Sequence, residues 1–148
     1  MKFINGDLIE YAKDGLFDVI IHGCNCFNTM GAGIALKIKK EFPSAYLADT
    51  KTLSGTKTKL GSYTSVFIDK YQFTIINGYT QYRYGRGKHF DYNAFSELLY
   101  KIKNDFPDKR IGMNMIGCGL AGGDSEKVLS IITNIMYNTN ITIVLYKK

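Results

Sequence analysis

The stretch from Phe17 to Phe42 reads FDVIIHGCNCFNTMGAGIALKIKKEF, and its reading decides the fold. Phe17 to Ile21 is rich in β-branched and aromatic residues, the pattern of a buried strand. Ile34, Ala35, Ile38 and Phe42 recur at helical spacing with lysines between them, and Pro43 closes the helix. Met30-Gly31-Ala32-Gly33-Ile34 lies at the entry to that helix. A strand that passes through a glycine-bearing loop into a helix is a unit of a layered α/β fold.

The same alternation continues outward. Phe3 and Ile4 open a short strand that ends at Asn5-Gly6-Asp7, and Ala45 to Leu53 reads as a short helix. Tyr63 to Ile68 and Phe73 to Ile76 read as strands paired across Asp69-Lys70. Phe95, Leu98, Leu99, Ile102 and Phe106 form one stripe of a helix spanning Asp91 to Phe106. Ile111 to Ile116 is a further strand. Val128, Leu129, Ile131, Ile132, Ile135 and Met136 mark a second strongly apolar helix, and Ile141 to Tyr146 is the last strand. The pattern predicts a mostly parallel sheet with helices on both faces. Such sheets bind ligands outside the carboxyl ends of their strands.

The length of 148 residues suits a single domain over 1–148, large enough to bury a core without staples. A composition 45% hydrophobic and 22% charged excludes disorder, collagen and coiled coil. Three cysteines fit no disulfide framework and point to a reducing, intracellular, cytoplasmic setting. Asp7 and Glu10 argue against a signal peptide. The stretch from Val19 to Leu36 carries His22 and several Asn and Gly, so no membrane attachment is expected, and the chain is expected to be a monomer. The net charge of +6 favours anionic ligands without distinguishing among them.

A second glycine cluster, Gly117-Cys118-Gly119-Leu120-Ala121-Gly122-Gly123, also follows a strand and enters a helix, which starts near Asp124. Glycine lets the backbone come close to a ligand, and a helix N-terminus presents free N–H groups and partial positive charge. Two such loops at one sheet edge suggest a clamp on a diphosphate; two tight turns are the plain alternative. Leu53, twenty residues past Gly33, is not acidic, so the dinucleotide fingerprint is absent. Gly85-Arg86-Gly87-Lys88 is not followed by Ser or Thr, so it is no P-loop. It reads as a flexible loop that reaches an anionic substrate.

Taken in order, Gly6-Asp7-Leu8, Ile20 to Cys26, Met30 to Ala35 and Ile116 to Gly123 resemble the motifs of the macro domain family across essentially the whole chain. The resemblance implies a three-layer αβα fold with a mixed, mostly parallel central sheet. It also implies a cleft for ADP-ribose or ADP-ribose 1''-phosphate, with no cofactor and no metal. Asp7, followed by Leu8, matches the acidic residue that accepts from the adenine amino group. Asn25 matches the asparagine that holds the distal ribose. Gly31, Ala32, Gly33 and Ile34 match the first phosphate loop. Gly117, Cys118, Gly119, Leu120, Ala121 and Gly122 match the second. Tyr146 resembles an aromatic residue beside adenine. Asp7 as a turn cap and Tyr146 as a packing residue are the plain alternatives.

Three positions bear on the chemistry. His22-Gly23-Cys24-Asn25-Cys26 resembles the phosphatase branch, where the histidine would act as acid, base or nucleophile. Asp124 would activate water or orient His22, and it also stands where a helix cap belongs. Gln81 stands where hydrolases of ADP-ribosylated targets often have lysine, and Ala121 departs from the aspartate of a deacylating branch. Met30 to Pro43, however, resembles the DNA-acting branch. His89 and the basic loop before it would contact a terminal phosphate or a nucleic acid, or simply face solvent. His22, Cys24, Cys26 and Cys118 lack the usual spacing of a zinc site. The expectation is therefore an enzyme that converts ADP-ribose 1''-phosphate to ADP-ribose and phosphate. The alternatives are a hydrolase that frees ADP-ribose from protein or nucleic acid, and a non-enzymatic reader.

Overall fold

A computed structural model describes residues 1–119 and 121–146. Six strands form one sheet: β1 (Lys2–Asn5), β2 (Val19–Cys24), β3 (Tyr63–Ile68), β4 (Phe73–Tyr79), β5 (Arg110–Met113) and β6 (Asn140–Leu145). Their spatial order is β1-β6-β5-β2-β4-β3, and only β3 runs antiparallel to its neighbour. The sheet is thus mixed and mostly parallel, as expected.

The helices are α1 (Leu8–Lys13), α2 (Gly33–Glu41), α3 (Pro43–Thr50), α4 (Tyr92–Asp105) and α5 (Ser125–Met136). They divide between the two faces because strand side chains alternate. Val19 and Ile21 of β2 join the core under α4 and α5, with Phe95, Leu98, Val128 and Ile132. Ile20, between them, joins the opposite core with Leu8 of α1, Ile38 of α2 and Ala45 of α3. This gives the three-layer αβα architecture. β2 reads as a continuous apolar run because it is central and covered on both sides.

The element boundaries differ from the sequence expectation in two informative places. β5 stops at Met113, not Ile116: Asn114 turns its amide onto the carbonyl of Val144 at 2.8 Å, and the chain leaves the sheet. Helix α1 has no counterpart in the sequence reading. Its six residues are too few for a periodic signal, and it is started by Asp7, whose Oδ1 accepts from Ile9 N and Glu10 N at 2.9 and 3.1 Å.

Candidate functional site

The carboxyl ends of β1, β2, β4, β5 and β6 lie along one edge, and the segments that leave them build a cleft. It comprises two adjoining cavities of about 620 and 490 Å³ that share Gly33, Ile34, Asn114 and Met115. His22, Asn25, Tyr84 and Gly119 line the larger; Asp7, Lys37, Cys118 and Tyr146 line the smaller. The two glycine loops therefore meet across one groove.

The first loop is braced from within. Asn25 accepts from Phe27 N through Oδ1 and donates to Thr29 Oγ1 through Nδ2, both at 2.7 Å. Asn28 and Met30 take left-handed backbone conformations, with φ of 59° and 41°, uncommon for residues with a side chain. Asn28 is held there by Lys59 Nζ, 2.6 Å from its Oδ1, and by its own amide donating to Thr52 O at 2.8 Å. Ala32 is the N-cap of α2 and supplies no side-chain acceptor, so the N–H groups of the first turn remain for a ligand. Gly33 has φ +56°, and no atom lies within 4 Å of where its Cβ would be. Gly31 and Ala32 are exposed at the same rim.

The second loop is shaped from outside. Gly117 and Gly122 have φ of +79° and +72°. His89 N and Phe90 N both donate to Ala121 O, at 2.9 and 3.1 Å, and Gly123 N donates to Gly117 O at 2.6 Å. Gly119 has nothing within 4 Å of an added Cβ and faces the cleft. Leu120 lies outside the described residues. Asp124 caps α5, its Oδ1 accepting from Glu126 N at 2.9 Å and Lys127 N at 3.5 Å. It is exposed and lines neither cavity.

His22, near the end of β2, lies on the floor of the larger cavity with its ring buried. Burial lowers its pKa to about 4 from 6.5, outweighing the upward pull of Asn77, so the imidazole is neutral at neutral pH. Cys24 lies beside it, Sγ 3.8 Å from Nδ1, and burial pushes that thiol's pKa well up. Cys26 is buried, and all three cysteines are free. Among the described residues no group of three or more His, Cys, Asp or Glu could hold a metal ion.

At the other end, Asp7 spends one oxygen on the α1 cap, and Leu8 is buried behind it. Tyr146 is exposed; Lys37 Nζ donates to its hydroxyl at 2.6 Å and sits 4.6 Å from the ring centroid. Gln81, singled out in the sequence, and Tyr84 also line the cleft, as do Asn114, Met115 and Lys37, which the sequence reading does not single out. Asn114 had a usable signal, as the polar residue that interrupts the apolar run from Ile111 to Ile116. No helix among the described residues is long and apolar enough to cross a membrane.

No family model matches the chain. An uncharacterized 17.5 kDa protein of Enterobacteria phage T4, from the tk-vs intergenic region, is 36% identical over 154 residues, covering 97% of this chain and 95% of its own. An ADP-ribose 1''-phosphate phosphatase of Candida albicans is 26% identical over 157 residues, covering 95% of this chain and 99% of that one. The macrodomain of Mycobacterium tuberculosis DarG superposes with a TM-score of 0.77 at 20% identity, over 99% of this chain and 97% of that one. Thermosipho africanus DarTG in complex with ADP-ribose gives 0.75 at 17% identity, over 98% of this chain and 42% of that one.

Proposed function

The chain belongs to the macro domain family, and from that premise we propose that its cleft binds ADP-ribose and hydrolyses ADP-ribose 1''-phosphate to ADP-ribose and phosphate. The carrying observation is the meeting of two glycine-bearing loops in one groove, with His22 on its floor. The two adjoining cavities suit an extended ligand. Adenine sits at the smaller cavity, its amino group donating to the free oxygen of Asp7 and its ring beside Tyr146. The diphosphate lies between the α2 N-terminus and Gly117–Gly119, where backbone N–H groups offset its charge. The distal ribose reaches Asn25, which places the 1''-phosphate beside His22.

A neutral imidazole can take the proton of an attacking water as the new P–O bond forms. It returns that proton to O1'' as the P–O1'' bond breaks, so the net reaction consumes one water. Asp124 serves the second loop by capping the helix that follows it. The test is phosphate release from ADP-ribose 1''-phosphate. Wild type is expected to release phosphate and His22→Ala to be slower by about 100-fold or more. Equal rates would remove His22 from the chemistry. No release by folded wild type would leave a binding protein.

A second reading, release of ADP-ribose from a nucleic acid, has its own support. Beside the larger cavity, Phe27 packs on Tyr82 and Tyr84 at 4.9 and 5.8 Å. Arg83 lies 5.5 Å over Phe27, and Lys57 lies 5.0 Å over Tyr82. Rings interleaved with exposed cations suit bases and phosphates. Release of ADP-ribose from a modified oligonucleotide, with none of phosphate from the 1''-phosphate, would favour it.

A further inference from the structure

The register of β2 on β4 places His22 directly beside Asn77. Their side chains meet at 2.6 Å, His22 Nε2 to Asn77 Oδ1, in a fully buried contact. Which group donates is decided on the far side of the amide. Asn77 Nδ2 lies 2.9 Å from the carbonyl oxygen of Ala45 and 3.0 Å from Thr64 Oγ1. A backbone carbonyl can only accept, so the atom facing Ala45 must be the amide nitrogen, and the one facing His22 must be the carbonyl oxygen. That oxygen can only accept in turn, so Nε2 of His22 carries a hydrogen. In a neutral imidazole Nδ1 is then bare.

The amide is held by more than one bond. Thr64 Oγ1 lies 3.0 Å from Tyr79 OH, and Tyr79 OH donates to Asp49 Oδ1 at 2.6 Å. Asp49 is buried, with Lys59 Nζ 3.8 Å away. The donors Asn77, Thr64 and Tyr79 thus point one way, toward a buried carboxylate, and a chain of this kind reinforces itself. The Cys24 thiol lies 3.8 and 3.7 Å from the two ring nitrogens, and it stays protonated. Asp49, with Lys59 beside it, stands at the far end of the chain.

We propose that Asn77 is a positioning residue: pinned by the Ala45 carbonyl and the Thr64–Tyr79–Asp49 chain, it fixes His22 as the Nε2–H tautomer and leaves Nδ1 as the one ring nitrogen able to accept a proton. The tautomer stands on geometry alone. The use of Nδ1 rests on the proposed phosphatase reading.

The test separates the two. Nitrogen-15 NMR of His22 in the ligand-free wild-type protein needs no activity. It is expected to show a protonated Nε2 and a bare Nδ1, unchanged through neutral pH. A protonated Nδ1, or an even mixture of tautomers, would overturn the proposal even if phosphate is released. Asn77→Asp puts a carboxylate at Nε2. It is expected to raise the pH at which His22 protonates by about one unit or more, and to move the acid limb of kcat/KM with it. A folded Asn77→Asp protein with neither shift would also overturn it. Should that variant fail to fold, the wild-type spectrum still decides. Absence of phosphate release with the expected tautomer would count against the phosphatase reading alone.

Discussion

Phe90 occupies the space that a side chain at Gly117 would need: a Cβ there would lie 2.1 Å from Phe90 Cδ1. The residue also holds φ +79°, where an added Cβ is strained. The second loop can therefore follow its path only with glycine at this position. Gly117→Ala is expected to cost roughly 2 kcal/mol or more in urea unfolding and to abolish ADP-ribose binding, because the loop must shift.

Gly119 supplies the contrast. Nothing lies near its missing side chain, and it faces the cleft. Gly119→Ala is expected to leave stability within about 0.5 kcal/mol of wild type while weakening ADP-ribose binding at least several-fold in calorimetry. Unchanged affinity would remove this loop from the ligand's path.

Asp7 carries two duties that substitution can separate. Asparagine also caps helices, so Asp7→Asn is expected to keep the unfolding midpoint while lowering affinity for ADP-ribose by about tenfold. Asp7→Ala is expected to lose that affinity and about 1 kcal/mol of stability as well. Thermal melts beside titrations of both variants read the two effects independently.

The buried imidazole makes stability depend on pH with a defined sign. Unfolded, His22 takes up a proton as pH falls through 6.5; folded, it resists until about 4. The unfolded state binds more protons across that window, so stability falls with pH there, by about 3 kcal/mol in all. Asp18 acts lower. Its hydrogen bonds from Arg110 hold it near about 2 against an ordinary 3.8, so its contribution is lost only as pH falls between those values. Urea unfolding between neutral pH and about pH 4 is expected to slope in wild type and lie nearly flat in His22→Ala. Equal slopes would mean that His22 is not the residue responsible.

Much of this architecture is readable in the residues themselves, and the failures have physical causes. The stripes of α4 and α5 stand out because each helix buries one face, Phe95 to Ile102 in one and Val128 to Met136 in the other. The two glycine loops stand out because their backbone needs what other residues resist. Asn77 does not stand out. A polar residue inside an apolar strand has no telling spacing, and it gains meaning only from the register that sets it against His22. Nothing in the sequence singles out Asp49 and Lys59, and only packing shows them buried together. Asp124 fits its position as a cap, and its carboxylate makes no hydrogen bond to His22 among the described residues.

The most direct measurement is a titration of the wild-type protein with ADP-ribose, followed through backbone amide NMR. The account predicts saturable shifts, with micromolar-range affinity, concentrated at Gly33 and Ile34, at Gly117 and Gly119, and around Asp7 and Asn25. Folded protein showing no shifts at millimolar ligand, or shifts away from both glycine loops, would contradict it.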